Sequence, residues 1–346
     1  MKLGLQLGYW GAQPPTGTGG LVDAAEAAGF DAIFAAESWG SDAFTPLAWW
    51  GARTESVQLG TSVAQLSART PTNCAMHALT LDHLSGGRAI LGLGVSGPQV
   101  VEGWYGQPFS KPLARTREYV DIVRQVLARE APVTSAGPHY PLPVDGTGMG
   151  KPLKPITHPL RADLPIWLGA EGPKNVALAA EIADGWLAIY YSPRLASMYN
   201  GWLDKGFARP GARRSRADFE VAATCQVVLT DDRAATIARL KPTIALYVGG
   251  MGAPESNFHA QVYNRMGYDR EVAEIGKLYQ SGRKDEAAAT VPDEMVAETM
   301  IIGNADFVRE EVKRWEDAGV TMLLVTADTA DRVYELGALL KGKNAF

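Results

Sequence analysis

Two cysteines, Cys74 and Cys225, are all that the 346 residues carry. Set 151 positions apart, they offer neither a disulfide framework nor a zinc spacing, and they fit a reduced, cytoplasmic protein. The five histidines, His77, His83, His139, His158 and His259, are as sparse, and none pairs into a metal motif. There is no charge excess of either sign. Lys plus Arg is 33 against 38 for Asp plus Glu, a net charge of −5, which lacks the basic footprint of a nucleic-acid binder. Long apolar runs are missing too. The longest uncharged stretch, residues 3–22, is interrupted by Gln6, Gln13, Pro14, Pro15 and several glycines, so no membrane helix is expected, and the apolar part after Lys2 is too short for a signal peptide. Walker loops, a G-x-S-x-G elbow and zincin motifs are likewise absent. What the chain does have is 46% hydrophobic residues, enough for a large core, together with nine tryptophans and 37 glycines. The glycines call for turns or for places where backbone comes close to something.

Hydrophobic period supplies the architecture. Strands are expected at 3–7, 32–35, 57–64, 89–94, 165–168, 186–190, 219–229 and 320–326. Helices are expected at 21–28, 45–52, 71–84, 113–129, 173–183, 193–207, 232–247 and 329–340. Eight strands each followed by a helix favour a (β/α)8 TIM barrel, an α/β fold, over a doubly wound sheet. The whole of 1–346 reads as one barrel domain with insertions near 98–112, 130–164 and 249–298. The proline-rich stretch 130–164 reads as a long excursion with one hairpin. In such barrels the active site sits where strands end and loops lead into helices.

Several strand ends carry chemical content. Glu37 follows four apolar residues at the end of the second strand, where a carboxylate either orients or deprotonates a ligand, or caps a helix or pairs with an arginine. Ser62 follows the third strand, as a donor to a ligand or a small packing residue. At the fourth, Gly92-Leu93-Gly94-Val95-Ser96-Gly97 has the wrong spacing for a dinucleotide fingerprint, yet its glycines admit a close approach to backbone. After the fifth, the turn through Ala170, Glu171, Gly172, Pro173, Lys174 and Asn175 opens a helix whose free N–H groups suit a phosphate, if it is not simply a tight turn. The run Lys205, Arg209, Arg213, Arg214, Arg216 has no acid inside it, and is either a solvated loop or a device that steers an anion. A barrel with neither nucleophile nor metal motif of its own suggests a borrowed cofactor.

The run Leu81-Asp82-His83-Leu84-Ser85-Gly86-Gly87-Arg88 followed by Ile90-Leu91-Gly92-Leu93-Gly94 resembles the bacterial luciferase-like superfamily. Ala27-Ala28-Gly29-Phe30-Asp31, Pro165-Ile166-Trp167-Leu168-Gly169-Ala170 and Ala183-Asp184-Gly185-Trp186 extend the resemblance over most of the chain. The branch it looks most like is that of coenzyme F420-dependent oxidoreductases of actinobacterial type. The resemblance implies a deazaflavin or flavin ring in the barrel mouth, a non-proline cis peptide placing Ser62 and Val63 against the ring, and Gly94, Val95, Ser96 and Gly97 lining it. It also implies a phosphate on Ala170, Glu171, Gly172, Pro173 and Asn175. Alcohol dehydrogenases of the branch carry an Asp-His pair where Glu37 and Ser38 stand here, and a second acid where this chain continues Pro98-Gln99. The acid is kept and the imidazole lost, which puts alcohol oxidation by that pair in doubt.

The implied activity is hydride transfer between coenzyme F420 and a small-molecule substrate, with Glu37 and Ser38 as the catalytic station. Trp10, Trp39, Trp104 and Tyr105 form the substrate-pocket walls, unless they fill the core. FMN in a two-component monooxygenase is the alternative cofactor and activity, and a non-catalytic flavin-binding barrel the other reading. A homo-oligomer, a dimer, is expected by resemblance alone.

Overall fold

The short apolar runs form strands whose outer faces are buried beneath helices. The computed structural model describes residues 1–13, 15–251 and 257–342. Pro14 and residues 252–256 of the expected third insertion lie outside the described residues. The strands are β1 (Lys2–Gly8), β2 (Ala32–Ala35), β3 (Gln58–Thr61), β4 (Ala64–Gln65), β5 (Ala89–Gly94), β6 (Ile166–Gly169), β7 (Gly185–Ala188), β8 (Glu220–Thr224), β9 (Gln226–Leu229), β10 (Met300–Gly303) and β11 (Met322–Val325). Parallel pairing runs β1–β2–β3–β5–β6–β7–β8–β11 and back to β1, with β4 continuing the line of β3 alongside β5. This is the closed eight-stranded barrel of a (β/α)8 fold.

Helices α1 (Thr18–Ala27), α2 (Phe44–Gly51), α3 (Pro71–Leu84), α4 (Pro98–Gly103), α5 (Pro112–Ala128), α6 (Pro173–Ile182) and α7 (Ala196–Phe207) follow the first six barrel strands. Next come α8 (Arg233–Gly250), α9 (Phe258–Arg265), α10 (Asp269–Gln280), α11 (Lys284–Thr290), α12 (Asp293–Ala297), α13 (Ala305–Asp317) and α14 (Ala330–Lys341). No helix among the described residues is long and apolar enough to cross a membrane.

Inside the barrel, Phe34 and Trp167 lie 5.7 Å apart, with Ile90, Leu187, Met322 and Leu324 around them. Two aromatic rings fit a barrel of this size only if facing positions are small. A Cβ on Gly60 would sit 2.2 Å from the Phe34 ring, and one on Gly185 would sit 2.7 Å from Trp167. Some of the glycines are therefore a packing requirement of this interior.

The motif that carries the family resemblance builds the opposite end of the barrel from the mouth. Asp82 accepts the N–H of Ala89 and pairs with Arg161, while Arg88 donates to the carbonyls of Ser85, Val57 and Thr54 and to the Thr54 hydroxyl. Gly86 and Gly87, at φ 66 and 93, make the left-handed turn that joins α3 to β5.

The structure differs from the expected elements in four places. The strand expected at 57–64 breaks after Thr61 at a cis peptide between Ser62 and Val63. The strand expected at 219–229 breaks at Cys225, and its second half, β9, leaves the barrel to pair with β10. β10 and α13 were not expected. The apolar stripe of α13, Val308, Val312 and Trp315, is hidden in sequence by seven charges between Arg309 and Asp317. The loop after β5 contains the short helix α4. Within 130–164 an antiparallel bridge joins Ser135 and Leu142, which is the expected hairpin. Helices α8–α12 enclose a second apolar core that includes Ile237, Ile244, Tyr263, Ile275 and Met295.

Candidate functional site

The third strand ends the floor of the mouth. Gln6, the polar residue of β1, donates from Nε2 to the Ser62 hydroxyl at 2.9 Å. The Val63 side chain then fills the space above two glycines. A Cβ on Gly94 would lie 2.5 Å from Val63 Cγ2, and one on Gly169 3.1 Å from Val63 Cγ1. Gly92 is tighter still, since its Cβ would fall 1.9 Å from the Thr61 carbonyl oxygen. At Gly92 and Gly94 the space a side chain would need is taken by Thr61 and Val63, which gives both glycines a packing role. Val95 lines a cleft described below, Ser96 is left-handed at φ 58, and Gly97 is the N-cap of α4.

Glu37 is buried, and its carboxylate is fully engaged. Oε1 accepts from the Gln65 N–H at 2.7 Å and from Arg69 Nη1 at 2.8 Å, while Oε2 accepts from Ala43 N–H at 3.4 Å. Its own N–H donates to the Val63 carbonyl at 3.3 Å, and Gln65 Nε2 donates to its carbonyl at 3.1 Å. Of the two roles open to it in sequence, pairing with an arginine describes this geometry. Ser38 is half-buried, with its carbonyl accepting from the Tyr105 hydroxyl at 3.4 Å.

The rim aromatics do not fill the core. Trp10, Trp39 and Trp104 are exposed and Tyr105 is half-buried. Trp10 packs 6.2 Å from Trp50, and its N–H donates to Ser41. Trp104 ends α4, with no aromatic partner among the described residues.

Arg69 also borders a cleft of about 220 Å³ with Leu66, Val95, Phe109, Arg115 and Tyr140 on its walls. Arg115 donates to the Ser110 carbonyl and lies 5.9 Å over the Tyr140 ring, and it pairs with no carboxylate among the described residues. The first turns of α3 and α5 both open at this cleft, which adds positive helix ends to its two guanidinium groups.

β6, the strand paired with β5, leads through Ala170 and Glu171 to Gly172, the N-cap of α6, with Pro173 in its first turn and Asn175 just inside. The Ala170 carbonyl accepts from Trp186 Nε1 at 2.7 Å, and the Glu171 carbonyl from Arg265 Nη1 at 3.0 Å. The Glu171 carboxylate meets His259 of α9, with Oε1 3.2 Å from Nδ1. Tyr190, left-handed at φ 53, and Tyr247 stand edge-on to the imidazole at 5.6 and 5.2 Å. Crowding by protein, then the neighbouring Tyr263 and Tyr247, hold the Tyr190 phenol well above its ordinary range, so it stays a neutral donor.

Gln6, Arg69, Arg115, Tyr190 and His259 stand at the candidate site and were not singled out from the sequence. Only Gln6 left a signal, as a polar residue on an otherwise apolar strand face. The basic run 205–216 is neither a free loop nor a steering device over most of its length: Arg213 and Arg214 pair with Asp163 and Asp184, and Arg216 with Asp204.

Residues 4–322 match the family model of luciferase-like monooxygenases. A Mycobacterium tuberculosis protein, provisionally named a coenzyme F420-dependent oxidoreductase, is 72% identical over 343 residues, 98% of this chain and 99% of that one. The 5,10-methylenetetrahydromethanopterin reductase of Archaeoglobus fulgidus is 30% identical over 304 residues, 88% of this chain and 87% of its own. Among solved structures, the coenzyme F420-dependent tetrahydromethanopterin reductase of Methanopyrus kandleri superposes with a TM-score of 0.80 at 24% identity, covering 99% of this chain and 98% of that one. At that identity the superposition speaks for the fold alone.

Proposed function

The chain belongs to the luciferase-like monooxygenase family, and from that premise we propose that it is a coenzyme F420-dependent oxidoreductase acting on a small organic molecule. The observation that carries this reading is the 72% identity, over nearly its whole length, to a protein named for that coenzyme. The donor set of the mouth suits a flat ring with an anionic tail. Val63 offers an apolar surface, Gln6 and Ser62 offer polar contacts beside it, and the α6 N-terminus and Arg115 offer charge for the tail. When bound, the coenzyme supplies hydride chemistry. The protein supplies position and exclusion of water.

In this reading Glu37 does not move a proton. Its carboxylate locks the end of β2 to the bulge carrying Val63 and holds Arg69 at the cleft. Trp10, Trp39, Trp104 and Tyr105 wall the substrate side. Titration with coenzyme F420 and with FMN, followed by fluorescence quenching, tests the assignment. Coenzyme F420 is expected to bind and FMN to bind at least tenfold more weakly; the reverse preference, with oxygen consumption on reduced FMN, refutes it. Arg115→Ala is expected to weaken coenzyme F420 binding by about 10-fold or more, the loss of one charge-assisted contact. Unchanged affinity would remove Arg115 from the site.

A further inference from the structure

Exposed aromatic rings gather at the barrel mouth. Tyr9 and Trp10 follow β1, Trp39 follows β2, Trp104 ends α4 and Phe258 opens α9. Among the described residues, the one other exposed Trp, Tyr or Phe is Trp49 on α2. The contacts that hold the loops together link the mouth rings into one arc. Tyr9 lies against Tyr247 of α8, and the Trp10 N–H donates to the Ser41 hydroxyl at 3.0 Å. The Tyr105 hydroxyl donates to the Ser38 carbonyl, which brings Trp104 and Trp39 to the same side, and Phe109 meets Phe258 at 6.5 Å.

The arc presents no free charge. Residues 9–13, 38–41 and 103–109, the loop tips that carry Trp10, Trp39 and Trp104, contain no Asp, Glu, Lys or Arg. The carboxylates that flank them are engaged: Glu37 with Arg69, Asp42 with the N–H groups of Phe44 and Thr45, and Glu102 with the Phe109 N–H. The loops' own polar groups bind one another, so what faces outward is ring surface. Trp39 is 55% exposed and Trp104 63%, which leaves most of both indole faces open. An apolar rim of this kind on a protein surface marks a binding surface. The charged groups of the mouth lie elsewhere, Arg69 and Arg115 in the cleft at α3 and α5, Glu171 at the β6 turn.

We propose that this arc binds the body of the substrate, and that the substrate is a bulky uncharged molecule, polycyclic or long-chained, whose surface is mostly apolar. This rests on the coenzyme reading above, which gives the floor at Ser62 and Val63 to the ring and the α6 turn and Arg115 to its tail. Flat indole faces suit fused rings or an extended methylene chain, which gain from burial and stacking and need no counter-charge. The arc also sets a length. β1, β2, β3 and β5 are neighbours in the barrel, so the tryptophan loops start three strand spacings apart, about 14 Å. A molecule of that length keeps contact with Trp10, Trp39 and Trp104 while one end reaches the floor. A small phosphorylated substrate would leave the indoles in water and bring a charge that no group of the arc meets.

Calorimetry and tryptophan fluorescence on the full chain, with and without coenzyme F420, test the class. Progesterone represents fused rings, dodecan-1-ol a chain and glucose 6-phosphate a small anion. One of the two apolar probes is expected to bind at least about 10-fold more tightly than glucose 6-phosphate, with the negative heat-capacity change of apolar burial. The tighter of the two tells rings from chain. Both Trp39 and Trp104 are exposed, so either can be truncated without unfolding the protein. Trp39→Ala and Trp104→Ala are each expected to weaken probe binding about 5–10-fold and to keep coenzyme F420 affinity within about twofold. Trp49→Ala is expected to change neither. Binding of neither apolar probe, or tighter binding of glucose 6-phosphate, overturns the proposal. So does unchanged probe affinity when Trp39→Ala and Trp104→Ala are combined. A concentration-dependent dimer that shields Trp39 and Trp104 from acrylamide without any probe also overturns it, because a second copy then covers the arc. Failure to bind coenzyme F420 refutes the coenzyme reading instead, and probe binding to the ligand-free protein, with its loss in the two variants, then decides the arc alone.

Discussion

Removing one charge at the end of the second strand separates two roles for Glu37. Its side chain is 2% exposed and that of its partner Arg69 12%. Breaking a buried ion pair from one side costs about 3–5 kcal/mol, because the remaining charge is left without compensation. Glu37→Gln keeps the shape and one carbonyl oxygen, which can still accept from Gln65 N–H or from Arg69. The new amide must then face Ala43 N–H, the longest of the three contacts at 3.4 Å. Arg69 also retains some solvent at the cleft. Both points place the expected loss at the low end, about 2–3 kcal/mol in urea unfolding. A cycle with Arg69→Met should return a coupling of about 1–3 kcal/mol. The substituted protein that remains folded should keep the shape of its pH–rate profile, because no proton passes through this carboxylate. A stability change under about 0.5 kcal/mol, or the disappearance of a pH limb, would refute the reasoning and restore Glu37 as an acid or base.

Two further outcomes follow from packing and charge. Gly92→Ala sets a Cβ 1.9 Å from the Thr61 carbonyl, a backbone atom that cannot rotate away. It should lose about 3 kcal/mol or more, or yield insoluble protein, whereas Gly11→Ala, with nothing within 4 Å, should stay within about 0.5 kcal/mol. Asp184 sits at the closed end of the barrel, accepting from Ile166 N–H and from Arg124, Arg213 and Arg214. Burial pushes its carboxyl upward, but Arg124, the Ile166 N–H and Arg213 outweigh that and hold it below its ordinary 3.8. A depressed native value means a stabilisation present above about pH 4 and lost as the pH falls through that lower value. Asp184→Asn should therefore lower the melting temperature clearly at pH 7 and by less as the pH falls below about 4; an equal loss across that range would deny the charge its part.

The barrel was legible because its signals are local. Alternation marks β1, Pro71 after Thr70 marks α3, and the left-handed Gly86 and Gly87 mark the turn into β5. The family motif is legible for the same reason, and its residues Asp82, Ser85 and Arg88 turn out to hold the closed end together. Where pairing depends on distant partners, sequence reasoning failed. β9 reads as a continuation of β8 until β10, more than 70 residues later, draws it out of the barrel. The packing role of Gly92 and Gly94 likewise depends on Thr61 and Val63, 31 residues away in sequence.

The candidate site divides along the same line. The floor comes from barrel strands: Gln6, Ser62, Val63 and the turn from Ala170 to Asn175. The family resemblance reached Ser62, Val63 and that turn, but not Gln6. The groups that give the mouth its character come from elsewhere: Arg115 from the start of α5, Tyr247 and His259 from the helices inserted after β9. An inserted helix carries no period that aims it at the mouth, so His259 stood in sequence as one unpaired histidine among five. Glu171 binds the two parts together. It stands at the turn that opens α6, and its carboxylate lies 3.2 Å from the His259 imidazole of α9. His259 and Arg265 both hold the Glu171 turn, so a change in the insertion that shifts α9 is expected to move that turn and, in the proposed reading, to alter coenzyme affinity.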